Sequence, residues 1–281
     1  MNRKAMTIRP MRPDEISSAV EWAAGEGWNP GFHDAACFAA VDPQGFLIGE
    51  IDGKPVAIVS TVNYDSNFSF LGFYIVRPGL RGQGYGWHIW QAGMKHAGSR
   101  VVGLDGVVAQ QENYKKSGFT LAYRNIRYGG LVKPVSPSEK TVALADVSLG
   151  MIAADDATVF PAGREKFLKL WTTAPGHVGK AVVRDGKLLG WGVIRPCRKG
   201  FKIGPLIADD GRTAATLFGA LTSAVGGGEI FLDVPQPNEA AIALAEDQGM
   251  IPVFETARMY TGPIPVLRLD RIFGVTTFEL G

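Results

Sequence analysis

Cysteine is nearly absent. Cys37 and Cys197 are the only two in 281 residues, and neither belongs to a CxxC or Cys/His spacing. That excludes a disulfide framework and a thiolate metal centre, so both are expected as packed thiols, and no metal is expected. A dominant charge is missing too: 29 Lys and Arg stand against 27 Asp and Glu, and no run of like charges concentrates the net +2. The footprint of a nucleic-acid or membrane-surface protein is therefore lacking, and a small molecule or peptide fits better as partner. No apolar stretch reaches 18 residues, and the start Met1-Asn2-Arg3-Lys4-Ala5-Met6 leads into polar residues without an apolar signal region. The expected location is cytoplasmic.

The length exceeds the usual single-domain size, and a 46% hydrophobic composition can fill a complete core, so two domains are the starting expectation. The chain also resembles itself. Ile51-Asp52-Gly53-Lys54 and Arg184-Asp185-Gly186-Lys187 are both Asp-Gly hairpin turns between apolar runs. Leu104-Asp105 and Leu232-Asp233 each end an apolar strand before a helix. Gly118-Phe119 with Arg127-Tyr128 matches Gly249-Met250 with Arg258-Met259-Tyr260. These offsets are 133, 128 and 131 residues (184 − 51, 232 − 104, 249 − 118), close enough to imply two copies of one α/β unit. The copies are placed at residues 1–132 and 133–281, joined by the proline- and serine-bearing segment 132–138.

Within the first copy, periodicity and punctuation predict the order β-α-α-β-β-β-α-β-α-β. The strands fall at residues 7–9, 46–51, 56–64, 68–76, 100–105 and 122–128. The helices begin at Pro13, near His33, at Gly84 and near Gln111. This order implies a mixed sheet with helices on both faces.

The third long strand runs into Arg81-Gly82-Gln83-Gly84-Tyr85-Gly86, which opens a helix. Strand, glycine loop and helix start form a phosphate site: main chain without β-carbons approaches the anion, unpaired N–H groups point at it, and Arg81 adds a fixed charge. A structural turn or a dinucleotide loop uses the same residues. However, a dinucleotide fold places its loop after the first strand of a βαβ unit, and here three antiparallel-looking strands come first. The missing Gly-Lys-Ser/Thr ending argues against a nucleotide triphosphatase.

The segment from Val76 to Gly86 resembles the acetyl-CoA signature of the GNAT superfamily of N-acetyltransferases, Arg/Gln-x-x-Gly-x-Gly/Ala. Tyr114-Lys115-Lys116-Ser117-Gly118-Phe119 is similar to the family's later Tyr-x-x-x-Gly-Phe element. The resemblance implies acetyl-CoA as acyl-donor substrate, bound by the strand end at Ile75 and Val76 and by Arg81, Gly82, Gln83, Gly84, Tyr85 and Gly86. It also implies direct attack by an amine, a strand N–H polarising the thioester, and Tyr114 protonating the departing thiolate. Asp105, at the end of the next strand, is a candidate to bind the amine or take its proton; capping the following turn is its alternative. His33, in the loop and helix region that covers the acceptor site in such enzymes, is a further candidate base because imidazole is the side chain that exchanges protons near neutral pH, with a plain surface histidine as its alternative. Trp28 and Asn29 beside it offer an aromatic wall and an amide for the acceptor, or simply anchor a loop.

The second copy resembles a GNAT domain that has lost its cofactor site. Ala208-Asp209-Asp210-Gly211 stands where the phosphate loop belongs, and its aspartates cap a helix but repel a diphosphate. The position of Tyr114 holds Ala245. Trp191, Arg195 and the Arg258-Tyr260 pair are candidates for an acceptor pocket between the copies, or for structure alone. The expected protein is thus a tandem, acyl-CoA-dependent N-acyltransferase, monomeric or homodimeric, acting on a primary amine of a small molecule or peptide. A CoA-binding sensor without transfer activity and a tRNA-dependent aminoacyltransferase are the alternatives.

Overall fold

The computed structural model describes residues 5–281 except 136 and 138, so the serines of the expected linker lie outside the described residues. The first half runs β1 (Thr7–Pro10), α1 (Ile16–Gly25), α2 (Asp34–Val41), β2 (Phe46–Ile51), β3 (Lys54–Asn63), β4 (Phe68–Val76), α3 (Tyr85–Ala97), β5 (Val101–Val107), α4 (Gln111–Lys116) and β6 (Phe119–Val132). The second repeats it as β7 (Val142–Ala143), α5 (Leu149–Asp156), α6 (Glu165–Trp171), β8 (Val178–Arg184), β9 (Lys187–Pro196), β10 (Phe201–Ala208), α7 (Gly211–Ala224), β11 (Gly228–Pro235), α8 (Glu239–Asp247) and β12 (Ile251–Thr261). A short β13 (Ile272–Gly274) follows. The two Asp-Gly hairpins superpose in kind, with Asp52 and Asp185 at φ 50° and 51° and the following glycines at 71° and 73°. Those are the positive values a two-residue hairpin turn demands.

All strands form one mixed sheet in the order β1-β2-β3-β4-β5-β12-β6-β11-β10-β9-β8-β7, with β13 on β10. Once each strand is matched to its copy, that order is a palindrome, and its centre reveals an exchange. β12 of the second half lies between β5 and β6, and β6 of the first half lies between β12 and β11. Each half therefore completes its partner's sheet with its last strand. The expected strand at 122–128 extends to Phe119–Val132 because β6 pairs along both edges.

The recurring Leu-Asp and Arg-x-Tyr segments form the joint. Asp105 stands opposite Arg258 and Asp233 opposite Arg127 in the strand register. Arg258 donates two bonds to Asp105, at 2.9 and 2.6 Å, and Arg127 two to Asp233, at 2.6 and 2.7 Å. Both carboxylate side chains are fully buried. Helix α3 packs an apolar cluster of Ile89, Trp90 and Val59 on the first half, and α7 packs Leu217, Phe218 and Leu221 on the second. A larger core including Phe38, Phe73, Trp171, Trp191 and Phe278 draws on both halves. Cys37 and Cys197 are buried and unpaired, and burial pushes the Cys37 thiol up to about 11.

Candidate active site

Strands β4 and β5 pair in parallel from Phe68 with Val101 to Leu71 with Leu104, and then part. Beyond that point β4 is bulged against β3, and Phe73 adopts φ 47°. The two strands leave a cavity of about 480 Å³ between them, within the range of ligand sites. Its walls are residues 71–76 of β4 and 104–107 of β5, and its mouth is the glycine loop. Open strand edges on both sides offer backbone donors and acceptors that no neighbouring strand uses.

The loop is shaped by glycine where glycine is needed. Gly84 caps α3 at φ 87° and Gly82 sits at 75°. At Gly86 an added Cβ would come within 2.6 Å of the Tyr74 hydroxyl. Helix α3 thus starts at the cavity with its first-turn N–H groups free of intrahelical partners, an arrangement that favours an anion. Arg81 is fixed beside it, donating from Nε to the Val76 carbonyl at 2.9 Å and pairing with Glu26. Ile75, Val76, Arg81, Gly82, Gly84 and Gly86 all line the cavity. Gln83 and Tyr85 do not: the Gln83 amide turns back to the Gly79 carbonyl, and the Tyr85 ring is buried in the core.

Tyr114 lines the opposite wall, stacked on Trp90 at 5.5 Å between centroids and edge-on to Phe119. Its ring fits because residue 106 is glycine; a Cβ there would lie 2.2 Å from it. Burial, reinforced by Tyr74, holds the phenol's pKa above its ordinary value, so the hydroxyl stays protonated at neutral pH.

The acceptor-side residues expected from the sequence fare unevenly. Trp28 lines the cavity, its carbonyl accepting from Arg127 at 2.7 Å. Asn29 is a clamp between the halves, its amide donating to the Lys199 carbonyl at 3.0 Å while its Oδ1 accepts the Lys199 N–H at 2.8 Å. His33 is exposed at the start of α2, outside the cavity wall. Asp105 reaches the wall, but lies within β5 rather than at its end, and its carboxylate is held by Arg258 and by the Asn125 amide at 2.7 Å. The carboxylate is thus committed to two donors and does not cap the next turn. In the second half, Arg195 pairs with Asp34, Trp191 donates to Asp155 at 3.0 Å, and neither lines the cavity, nor do Arg258 and Tyr260. The second half instead contributes Phe254, Thr256, Phe278 and Glu279. No spacing pointed to them, because strand exchange and the C-terminal tail bring them from the far half of the chain.

Residues 13–119 match the acetyltransferase (GNAT) family, and residues 152–274 match a second acetyltransferase (GNAT) domain. A holothin acyltransferase from Pseudoalteromonas sp. (strain SANK 73390) is 31% identical over 277 residues, 98% of this chain and 94% of that one. The chain belongs to the GNAT family. Among solved structures, a Pyrococcus horikoshii protein assigned to the acetyltransferases shares the fold over 100% of this chain and 98% of its own, at TM-score 0.85 and 21% identity. A tandem GNAT protein from the clavulanic acid biosynthesis pathway does so over 93% and 100%, at 0.64 and 13%. This GNAT chain is therefore an acyltransferase of two tandem domains with a mixed sheet.

Proposed function

We propose that this GNAT protein transfers an acetyl group from acetyl-CoA to a primary amine of a small molecule, using a single site in its first half. The observation that carries the reading is the parting of β4 and β5 directly above a glycine loop and helix start, with Tyr114 on the facing wall. The fit to CoA is chemical. A diphosphate matches free N–H groups and Arg81 at the mouth, and an amide-bearing pantetheine arm matches the open strand edges. Attack by the amine forms the C–N bond and breaks the C–S bond, with a backbone N–H of β4 stabilising the oxyanion. Tyr114 then gives its proton to the thiolate; a phenol held protonated by burial suits an acid that must not ionise early. The acyltransferase relative named for holothin supports a small-molecule acceptor over a peptide.

The test is calorimetry with CoA, followed by release of free CoA thiol from acetyl-CoA on adding amines. One CoA per chain and amine-dependent thiol release are expected. Absence of CoA binding would remove the proposal.

A further inference from the structure

The inner wall of the cavity is supplied by the end of the chain. After β13 the tail crosses back to the first half. The Tyr64 hydroxyl donates to the Leu280 carbonyl at 2.8 Å, and Arg164 donates to the Gly281 carbonyl at 3.1 Å. At Gly72 in the bulged stretch of β4, an added Cβ would meet the Glu279 carbonyl oxygen at 2.1 Å, so the tail rests directly on that strand. Phe278 and Glu279 thereby become part of the cavity lining.

Three carboxyl groups line this cavity, and two are spoken for. Glu26 is paired with Arg81, and Asp105 with Arg258. Glu279 is 3% exposed, and its Oε1 has no hydrogen-bond partner. The charges that face it are Lys202 on β10, Arg127 on β6, Arg195 on β9 and Asp34 on α2. Arg127 is committed to Asp233 and Arg195 to Asp34, while Lys202 stands 4.0 Å from Asp233. The remaining walls on this side are aromatic: Trp28, Phe254 and Phe278. Arg127 lies 5.8 and 4.8 Å from the Phe254 and Phe278 ring centroids, which holds both rings in place.

We propose that Glu279 is the proton acceptor for the amine, and that the acceptor is a small aromatic monoamine whose ring sits among Trp28, Phe254 and Phe278. This rests on the acyl-CoA reading above. The amine lone pair forms the C–N bond at the thioester carbonyl, and the nitrogen's proton passes to the Glu279 carboxylate. The C–S bond breaks with its electron pair on sulfur, which takes the Tyr114 proton; solvent then resets both groups. A polyamine or aminoglycoside is disfavoured because it would bring several ammonium groups toward the single Glu279 carboxylate, with the charges of Lys202, Arg127 and Arg195 close to it. Burial raises the Glu279 carboxyl above its ordinary range, which brings its basicity closer to that of the nitrogen it serves.

The experiment uses the full chain with acetyl-CoA and two amine panels, aromatic monoamines and aliphatic polyamines, in wild type and Glu279→Gln. Turnover is expected with aromatic monoamines alone. Glu279→Gln is expected to keep its CoA affinity and Tm, to lose about 10²-fold in kcat, and to lose the rise of kcat/KM with pH that marks a carboxyl ionising above about 4.3. Full kcat with an unchanged pH profile overturns the role of Glu279. CoA binding with no turnover of any aromatic amine, or with preference for polyamines, overturns the acceptor class while sparing the acyl-CoA reading. Absence of CoA binding overturns both.

Discussion

In the first half β4 and β5 part after Leu71 and Leu104 and leave a cavity; in the second, β10 and β11 part after Ile203 and Leu232 and the gap is filled by chain. The difference is β13. It pairs with β10 through Leu206 and Ile207, and the next residue, Val275, donates to the Asp233 carbonyl on β11 at 2.8 Å. Its Gly274 is so enclosed that a Cβ would lie 2.7 Å from Leu232 and 3.3 Å from Leu206. The bulge is kept in both copies, with a register break against the neighbouring strand at Ile58 and Ser60 in one and at Ile203 and Leu206 in the other. One duplicated backbone thus makes an open slot in one half and, plugged by a strand, a closed joint in the other. The same tail goes on to wall the open slot.

The most severe way to break the comparison is to give the first half the second's loop chemistry. Gly84→Asp sets a carboxylate at the start of α3 and forces a side chain onto φ 87°. CoA affinity in calorimetry is expected to fall by 10²-fold or more, with the far-UV spectrum unchanged. Retained affinity would mean that the loop is not the diphosphate site.

The joint between the halves is symmetric in design, and its two ion pairs can be compared directly. Removing one partner of a buried pair costs about 3–5 kcal/mol because the other charge is stranded. Arg258→Ala leaves Asp105 with only Asn125, whereas Arg127→Ala leaves Asp233 with Lys202 at 4.0 Å. Urea unfolding is expected to place Arg258→Ala near the top of that range and Arg127→Ala near the bottom. Both variants are expected to unfold in one transition, since neither half owns a complete sheet. Two separate transitions would contradict the strand exchange.

Part of this was legible in the sequence for a physical reason: glycine and Asp-Gly punctuation report backbone geometry that few other residues adopt. The paired hairpins appear in the structure as the sequence implies, and the positive φ of Gly82 and Gly84 gives the reason glycine stands in the loop, because each is a local constraint. The exchange of β6 and β12 was not legible, although its residues were in view. Leu104-Asp105 and Arg258 were seen as repeats, yet a duplicated pattern is the same whether an aspartate pairs within its own copy or across. For the same reason the sequence offers Asp105 as an amine-binding group, a base or a turn cap, and gives no sign of its pairing with Arg258. Glu279 went unnoticed because its environment is assembled wholly by tertiary contacts.

Tyr114 against Ala245 offers a milder test. Tyr114→Phe keeps the ring that packs on Trp90 and over Gly106, and removes only the proton. Loss of about 10²-fold in kcat is expected, with KM for acetyl-CoA nearly unchanged. Because burial keeps the phenol protonated past its ordinary value near 10, wild-type kcat is expected to show no alkaline fall from this group below that pH. Unchanged kcat in the Phe variant would leave Tyr114 as packing, like its counterpart.

The smallest effect is expected where the second half has replaced binding with capping. Asp210 accepts the Thr213 N–H at 2.7 Å, the bond that anchors the start of α7 and lowers the carboxyl's pKa. Asp210→Ala is expected to cost about 1 kcal/mol at pH 7. Since the folded-state pKa is the lower one, wild type's advantage is present above the unfolded value near 3.9 and fades as pH falls through the folded one. CoA stoichiometry is expected to stay at one per chain, because removing the carboxylate does not remove β13 from between β10 and β11. A second CoA bound by this variant would mean that loop charge, and not the inserted strand, keeps the second half closed.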